Sequence, residues 1–281
     1  PSASDIFKFI LFADDTSLKS LINSKLPGFS IESSTRIINI ELQKVNDWLA
    51  VNKLSLNVKN TKFMLFHTTQ KKNIANIIPK LQIGNVLIER KENFNFLGLI
   101  INETLSWKPH VNSVANRISK YVGVLNRLKR YLPCAILKTI YVSLVQSKMN
   151  YALLAWGYNC GRLKKLQKKA IRIITNSKYL QHTTPLLKKL NLLKLEDMFK
   201  LNMLKWYFRY QNGQLPRYFL DFEIKAQNQI HDHDTRSSNT ISTPVPRLHC
   251  ASRCLRNYIS IVINSMPKIV IEKVQTHSLK G

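Results

Sequence analysis

The stretch FKFILFADDTSLKS, residues 7–20, sets two adjacent carboxylates, Asp14 and Asp15, directly after the uncharged run Phe9–Ala13. The chain of 281 residues has only 16 acids against 43 lysines and arginines, so pairing two of them in one place calls for a reason. The pattern reads as two short strands, 6–12 and 17–22, joined by an acidic turn with Asp14 and Asp15 at its tip and a buried strand beneath. Two rigidly held carboxylates are hard oxygen ligands of the kind a magnesium ion takes, open on one side to water and phosphate. In a two-metal phosphoryl or nucleotidyl transfer such ions clamp the attacking and leaving oxygens. Aspartate is also a favoured turn residue, and an ordinary surface turn fits the dipeptide equally.

Outward from that turn, charge is the dominant feature. The formal net charge is +27, far beyond what solubility needs, and points to a polyanionic partner. Hydrophobic residues make up 44% of the chain, which places it among globular proteins. No apolar run approaches the roughly 20 residues needed to span a bilayer, and no secretory leader is evident, so nucleic acid fits better than membrane. An intracellular, nuclear location is the corresponding expectation. The chain starts at Pro1 and its first methionine is Met64, which reads as a fragment cut at its N-terminus. Between Glu103 and Glu196 there is no acid at all, while the window holds 18 lysines and arginines. A solvated surface normally mixes signs, so this window is expected to form an electropositive wall.

Periodicity places the wall on helices. After the acidic turn, Ile31, Ile38, Leu42, Val45 and Leu49 mark one face of an amphipathic helix. TKFMLFH (61–67) reads as a buried strand, LQIGNVLI (81–88) as a hairpin turning at Gly84-Asn85, and FNFLGLII (94–101) as a further strand. From Trp107 the period becomes helical. Val111, Val114, Ile118, Tyr121, Val122, Leu125 and Leu128 share a face, leaving Arg117, Lys120, Arg127, Lys129 and Arg130 on the remaining surface. A second helix is expected over 134–149. A third, within 161–178, buries Leu163, Leu166, Ala170, Ile173 and Ile174 and shows Arg162, Lys164, Lys165, Lys168, Lys169 and Arg172 to solvent. The tail after about residue 214 is weakly patterned.

FADD at 12–15 resembles the catalytic turn of the reverse transcriptases of non-LTR, LINE-like retrotransposons, particularly the jockey group. The order downstream is similar too: VNDWLAVNKLSLNVKNTKFMLF, FNFLGLIINETLSWKPHV, NYALLAWG, LKKLQKKAIRIIT and HTTPLLKKLNLLKLEDMFKLNMLKWYF follow as in such elements, covering residues 6 to about 220. The resemblance implies an α+β chain: the end of a right-hand polymerase palm, a small antiparallel sheet with a helix, over 1–105. A basic, mainly helical thumb over 106–178 and a helical C-terminal extension with a weakly ordered tail over 179–281 would follow. It implies that Asp14 and Asp15 are the paired catalytic, metal-holding carboxylates of the palm. Phe96, Leu97 and Gly98 would form the primer-grip strand, where a glycine lets the primer backbone approach. The implied cofactor is magnesium, two ions in the intact polymerase, and the partners are an RNA template, a DNA primer and deoxynucleoside triphosphates.

Two departures stand out. Where the family has a lysine before the threonine after the turn, this chain has Asn60, flanked by Lys59 and Lys62, either of which is a candidate to protonate the leaving pyrophosphate or a solvated loop charge. A two-metal site also needs a further aspartate on a neighbouring strand, and the one acid before the turn, Asp5, lies nine residues earlier on the same segment, about 3 nm away if extended, so that only a fold-back could bring it there. Polymerisation is therefore expected of the parent protein, not of these residues alone. The alternatives are a non-catalytic basic remnant that binds nucleic acid and a helical scaffold for acidic partners. Cys250 and Cys254 with His249, His231 and His233 are a weak zinc pattern, because no second cysteine pair stands at ligand spacing. Isolated Cys134 and Cys160 suit a reducing compartment, His67 and His110 suit structural roles, and Trp107 and Trp156 suit core packing ahead of base stacking.

Overall fold

The computed structural model of the chain describes residues 4, 6–12, 15–21, 30–68, 79–158, 160–222, 224–225, 227–230, 240–243, 245, 254–267 and 269–271. The chain divides into two compact units, Pro1–Leu105 and Ser106–Gly281. The stretches expected as thumb and as extension lie within the second.

In the first unit, strands β1 (Lys8–Phe12) and β2 (Asp15–Lys19) pair antiparallel, with Phe12 opposite Asp15. Helix α1 (Ile31–Val51) starts where the Ser30 hydroxyl accepts from the Ser33 N–H at 2.9 Å, a side-chain cap for an otherwise unpaired donor. It ends in a Schellman turn: Lys53 takes φ +56° and the Leu54 N–H donates back to the Leu49 carbonyl. Its inner face gives Leu42 to a cluster with Leu81, Ile83 and Ile88, flanked by Phe7, Leu18, Ile38, Leu56, Val58 and Phe63. Each such aliphatic side chain contributes about 1.5–3 kcal/mol on burial.

The remaining strands are short ribbons: β3 (Lys62–Phe63) runs parallel to β6 (Glu89–Arg90), β4 (Gln82–Ile83) pairs with β5 (Val86–Leu87), and β7 (Asn93–Phe96) with β8 (Leu99–Asn102). The expected Gly84 turn is present, at φ +57°. Three expectations change. The single strand over 94–101 is a hairpin, because Leu97 and Gly98 take φ +48° and +78° and reverse the chain between two alternating runs. The strand over 61–67 shrinks to two ladder residues, its C-terminal end being held instead by the His67 N–H on the Glu103 carbonyl at 3.1 Å. The β1 strand is not buried: Ile10, Leu11 and Phe12 are exposed, since β1 and β2 form a two-stranded ribbon that no third strand covers among the described residues.

A polar clamp ties this unit together. Arg90 donates from Nε and a terminal nitrogen to both Glu103 carboxylate oxygens at 2.7 and 2.8 Å, with His67 3.5 Å away. Burial pushes the Glu103 carboxyl up, but the Arg90 hydrogen bonds and charge, the Leu65 N–H and His67 outweigh it and hold it below the usual value.

The second unit is helical: α2 (Lys108–Leu128), α3 (Cys134–Ile140) running through a π-helical stretch (Tyr141–Gln146) into α4 (Ser147–Asn150), α5 (Leu153–Trp156), α6 (Gly161–Ile174), α7 (Thr183–Lys189), α8 (Leu195–Gln211) and α9 (Leu255–Asn264). Ala115, Ile118, Val122 and Leu125 of α2 are buried, as are Leu163, Ala170 and Ile171 of α6, which packs against it. The expected Leu166 is only half-buried. Gln167 takes the core position, its Nε2 donating to the Tyr141 hydroxyl and the Leu193 carbonyl at 3.0 Å each and its Oε1 accepting from the Leu195 N–H at 2.9 Å. The weakly patterned tail is not loose where it is described: Ile241, Ile259 and Ile263 join Leu204, Trp206 and Phe208 of α8 in one apolar cluster. No helix among the described residues is long and apolar enough to cross a membrane.

Candidate functional site

Two groups of candidate residues lie in the first unit. At the acidic hairpin Asp15 is the first residue of β2, exposed and paired in register with Phe12, the last residue of β1, instead of lying between the strands. Asp14 lies outside the described residues. No group of three or more His, Cys, Asp or Glu side chains that could hold a metal occurs among the described residues. One exposed carboxylate does not make a two-ion site, which needs at least a third acid across a neighbouring strand, so the described residues by themselves do not fit the expected pair of magnesium ions.

The second group is the β7–β8 hairpin. Phe96 closes β7, and Leu97 and Gly98 form its two-residue tip with positive φ at both positions, the mirror-image turn that matches strand twist. A glycine there costs nothing, whereas Leu97 in the left-handed region costs about 1–2 kcal/mol, so the tip is a strained, presented feature and not a strand interior. Of the two candidate lysines, Lys59 is exposed in the turn before β3. Lys62 donates to Glu89 at 2.8 Å, and with Lys91 on the other carboxylate oxygen it holds the Glu89 carboxyl down to about 2. Lys62 thus serves a cross-strand ion pair.

The second unit carries the basic face. Arg117, Lys120 and Arg127 recur at three- and seven-residue steps on the side of α2 opposite its buried residues, and Lys129 and Arg130 follow at its end; all five are exposed. On α6 the six cations divide. Arg162 donates to Asn112 and Asn116 of α2 at 3.3 and 2.8 Å, Lys164 pairs with Glu196, and the Arg172 Nε donates to the Gln181 carbonyl at 2.9 Å. Of the six expected to face solvent, Arg162, Lys165, Lys168 and Lys169 are exposed, whereas Lys164 and Arg172 are half-buried beside the partners they engage. Lys165, Lys168 and Lys169 are exposed and form no ion pair among the described residues. Lys164–Glu196 is the one ion pair there that draws on the 18 cations of the acid-free window. Exposed cations without an ion-pair partner are the chemistry that takes a chain of phosphates.

Of the aromatic and thiol candidates, Trp156, His110 and Cys160 are buried, Trp107 is half-buried and Cys134 and Cys254 are exposed. Trp156 is fully buried, its Nε1 donating to the Tyr151 carbonyl at 3.0 Å, and buried His110 stands edge-on between Trp107 and Trp156. Burial, and then the Arg117 charge, lower the His110 pKa below its usual value. The Cys160 thiol is buried and donates to the Gly157 carbonyl at 3.2 Å. Cys254 and Cys134 are exposed, and Cys250, His249, His231 and His233 lie outside the described residues.

With this geometry in hand, comparison with known proteins adds a direction. The chain is similar to a transposon polymerase. It is 25% identical over 134 residues to a protein of Drosophila melanogaster described as a probable RNA-directed DNA polymerase from transposon BS, a match that covers 45% of this chain and 15% of that protein. The chain thus corresponds to a small part of that relative's length. No family model matches it, and no solved structure does.

Sequence reasoning missed the Arg90–Glu103 clamp, the Gln167 hub and the Arg162 anchor. The first two join residues 13 to 28 positions apart and the third joins residues about 50 apart, where no periodicity reports on pairing.

Proposed function

We propose that these residues are the part of a non-LTR retrotransposon reverse transcriptase, of the jockey group, that follows its catalytic turn, and that the helical unit holds a template–primer duplex by its phosphates. The observation that carries this reading is the set of exposed cations on α2 and α6, from a stretch of sequence without an acid, Lys165, Lys168 and Lys169 forming no ion pair among the described residues. Base pairing reads the template, so the protein need only track backbone, and unpaired lysines on two packed helices suit that task. The similarity to a transposon RNA-directed DNA polymerase supports the same direction. In this reading Asp14 and Asp15 are the paired carboxylates of the parent enzyme's palm turn, completed by an acid from elsewhere in that enzyme, and Phe96–Gly98 is the tip that touches the primer backbone.

The test is a fluorescence anisotropy titration of the chain with an RNA–DNA hybrid over a range of salt. The affinity should fall steeply with salt, by about 0.9 log units per log unit of salt for each phosphate contact, and should not depend on sequence. A flat salt response refutes the reading and favours a scaffold that binds partners through apolar contacts.

A further inference from the structure

The segment that leaves α6 is held in place with unusual completeness for a surface loop. Asn176 takes φ +49°, its N–H donates to the Ile173 carbonyl, and the Ser177 N–H reaches back to the Arg172 carbonyl at 2.9 Å, a Schellman cap that stops the helix. The hydroxyls of Thr175 and Ser177 are 2.7 Å apart, and the Gln181 N–H donates to the Lys178 carbonyl at 3.1 Å. This frame presents two large side chains outward: Tyr179 is 81% exposed and Leu180 86%. The Arg172 guanidinium lies 5.9 Å from the Tyr179 ring centre, while its Nε is fixed on the Gln181 carbonyl. The cation braces the ring and the loop hydrogen bonds hold its approach, yet most of the ring surface stays in water. Lys168, Lys169 and Lys178 are exposed nearby in sequence, on the last turns of α6 and beside Tyr179.

An exposed aromatic ring in a hydrogen-bonded turn, with a guanidinium near it and Lys178 next in sequence, is the combination that takes a nucleobase on its face and the adjoining phosphates on the charges. We infer that Tyr179 is a stacking platform for an unpaired base, so that the end of α6 binds single-stranded nucleic acid next to the duplex-tracking face. This rests on the reading of the helical unit as a nucleic-acid binder and adds to it a contact that the interior of a duplex cannot make, because there each base face is covered by its stacked neighbours. Charge complementarity favours this occupant over an acidic protein, which offers no row of planar rings. Tyr131, equally exposed after Lys129 and Arg130, has no such bracing cation among the described residues and carries less.

The test compares two strands of equal phosphate count, an oligothymidylate of about a dozen nucleotides and its abasic counterpart, each titrated with the full chain and with Y179A and Y179F. Y179A should weaken oligothymidylate binding by about 5- to 150-fold, the loss expected for one stacked base, and leave abasic binding unchanged. Y179F should behave like the parent. An equal loss on both strands, or no loss on either, overturns the stacking role. The abasic strand reports on phosphate binding alone: if its affinity does not change with salt, the phosphate reading itself fails, whatever Tyr179 does.

Discussion

Neutralising Lys165, Lys168 and Lys169 together, as K165Q/K168Q/K169Q, removes three exposed charges of the basic surface of α6 and little else. All three are exposed and form no ion pair among the described residues, while Leu163, Gln167, Ala170 and Ile171 on the opposite side of α6 hold the helix in its core. If each lysine neutralises one phosphate, the slope of log affinity against log salt should become shallower by about 2.7. Between about 1 M and about 0.1 M salt that difference amounts to roughly 500-fold, or ~3.7 kcal/mol, at the low-salt end. Fluorescence anisotropy with an RNA–DNA hybrid at four or five salt concentrations reads the slope directly, and circular dichroism checks that the variant is folded. Lys164→Gln provides the contrast, because that cation is already paired with Glu196 and half-buried, and its removal should change the slope by well under one contact. A folded triple variant with an unchanged slope would sink the assignment of this helix to phosphate binding.

Three further expectations follow from other parts of the molecule. Glu103→Ala leaves the largely buried Arg90 side chain without its carboxylate and should cost about 3–5 kcal/mol at neutral pH; because the folded carboxyl is held below its ordinary value, the stability it supplies is present above that value and lost as pH falls through the lower, folded one, so thermal melts of parent and variant should converge as the pH is taken below the ordinary carboxylate range. Gly157→Ala puts a methyl 2.5 Å from the Phe199 ring and 2.6 Å from the Leu153 carbonyl, and should lower the urea midpoint by an amount equivalent to about 1–3 kcal/mol, with Phe199→Leu restoring part of it. In a longer protein that extends primers, Asp15→Asn should abolish extension while leaving hybrid affinity and melting temperature intact; extension at the parent's rate would make Asp15 an ordinary surface carboxylate.

What the sequence showed and what it hid divide along the range of the interactions. The inner faces of α1 and α2 are legible because a period of 3.6 repeats over 21 residues, long enough for Leu42 and Val45, or Ile118, Val122 and Leu125, to declare one side. The basic face is legible for the same reason, being the complement of that stripe. The β7–β8 hairpin is not, since its tip is Leu97-Gly98, an apolar pair inside an apolar run, and only the backbone angle separates it from a strand interior. Gln167 is the sharper case. A polar residue amid lysines reads as surface, and the adjacent Leu166 reads as core. The reverse holds because Tyr141, Leu193 and the Leu195 N–H, each at least 26 residues away, satisfy all the amide needs when buried. At the acidic turn the dipeptide was visible but its setting was not, since whether a strand lies buried depends on what covers it.

The cations of the helical unit are better explained by a partner than by the fold. Where the unit needs a charge for its own packing, the charge is engaged: Arg162 bridges to Asn112 and Asn116, Arg172 holds the loop after α6, and Lys164 meets Glu196. Six of the others, Arg117, Lys120 and Arg127 on α2 and Lys165, Lys168 and Lys169 on α6, lie on faces pointing away from the buried stripes, and the sequence has no acid between Glu103 and Glu196. At physiological ionic strength, charges within about 8 Å of one another are incompletely screened, so like charges that come this close on a face are a cost to the free protein. A ligand that binds only the folded state with many negative charges offsets that cost by mass action. Scattered acids would remove the cost more simply, but they would also erase the site. The separation between engaged and unengaged cations on a single helix is therefore the physical argument for a polyanion on this face.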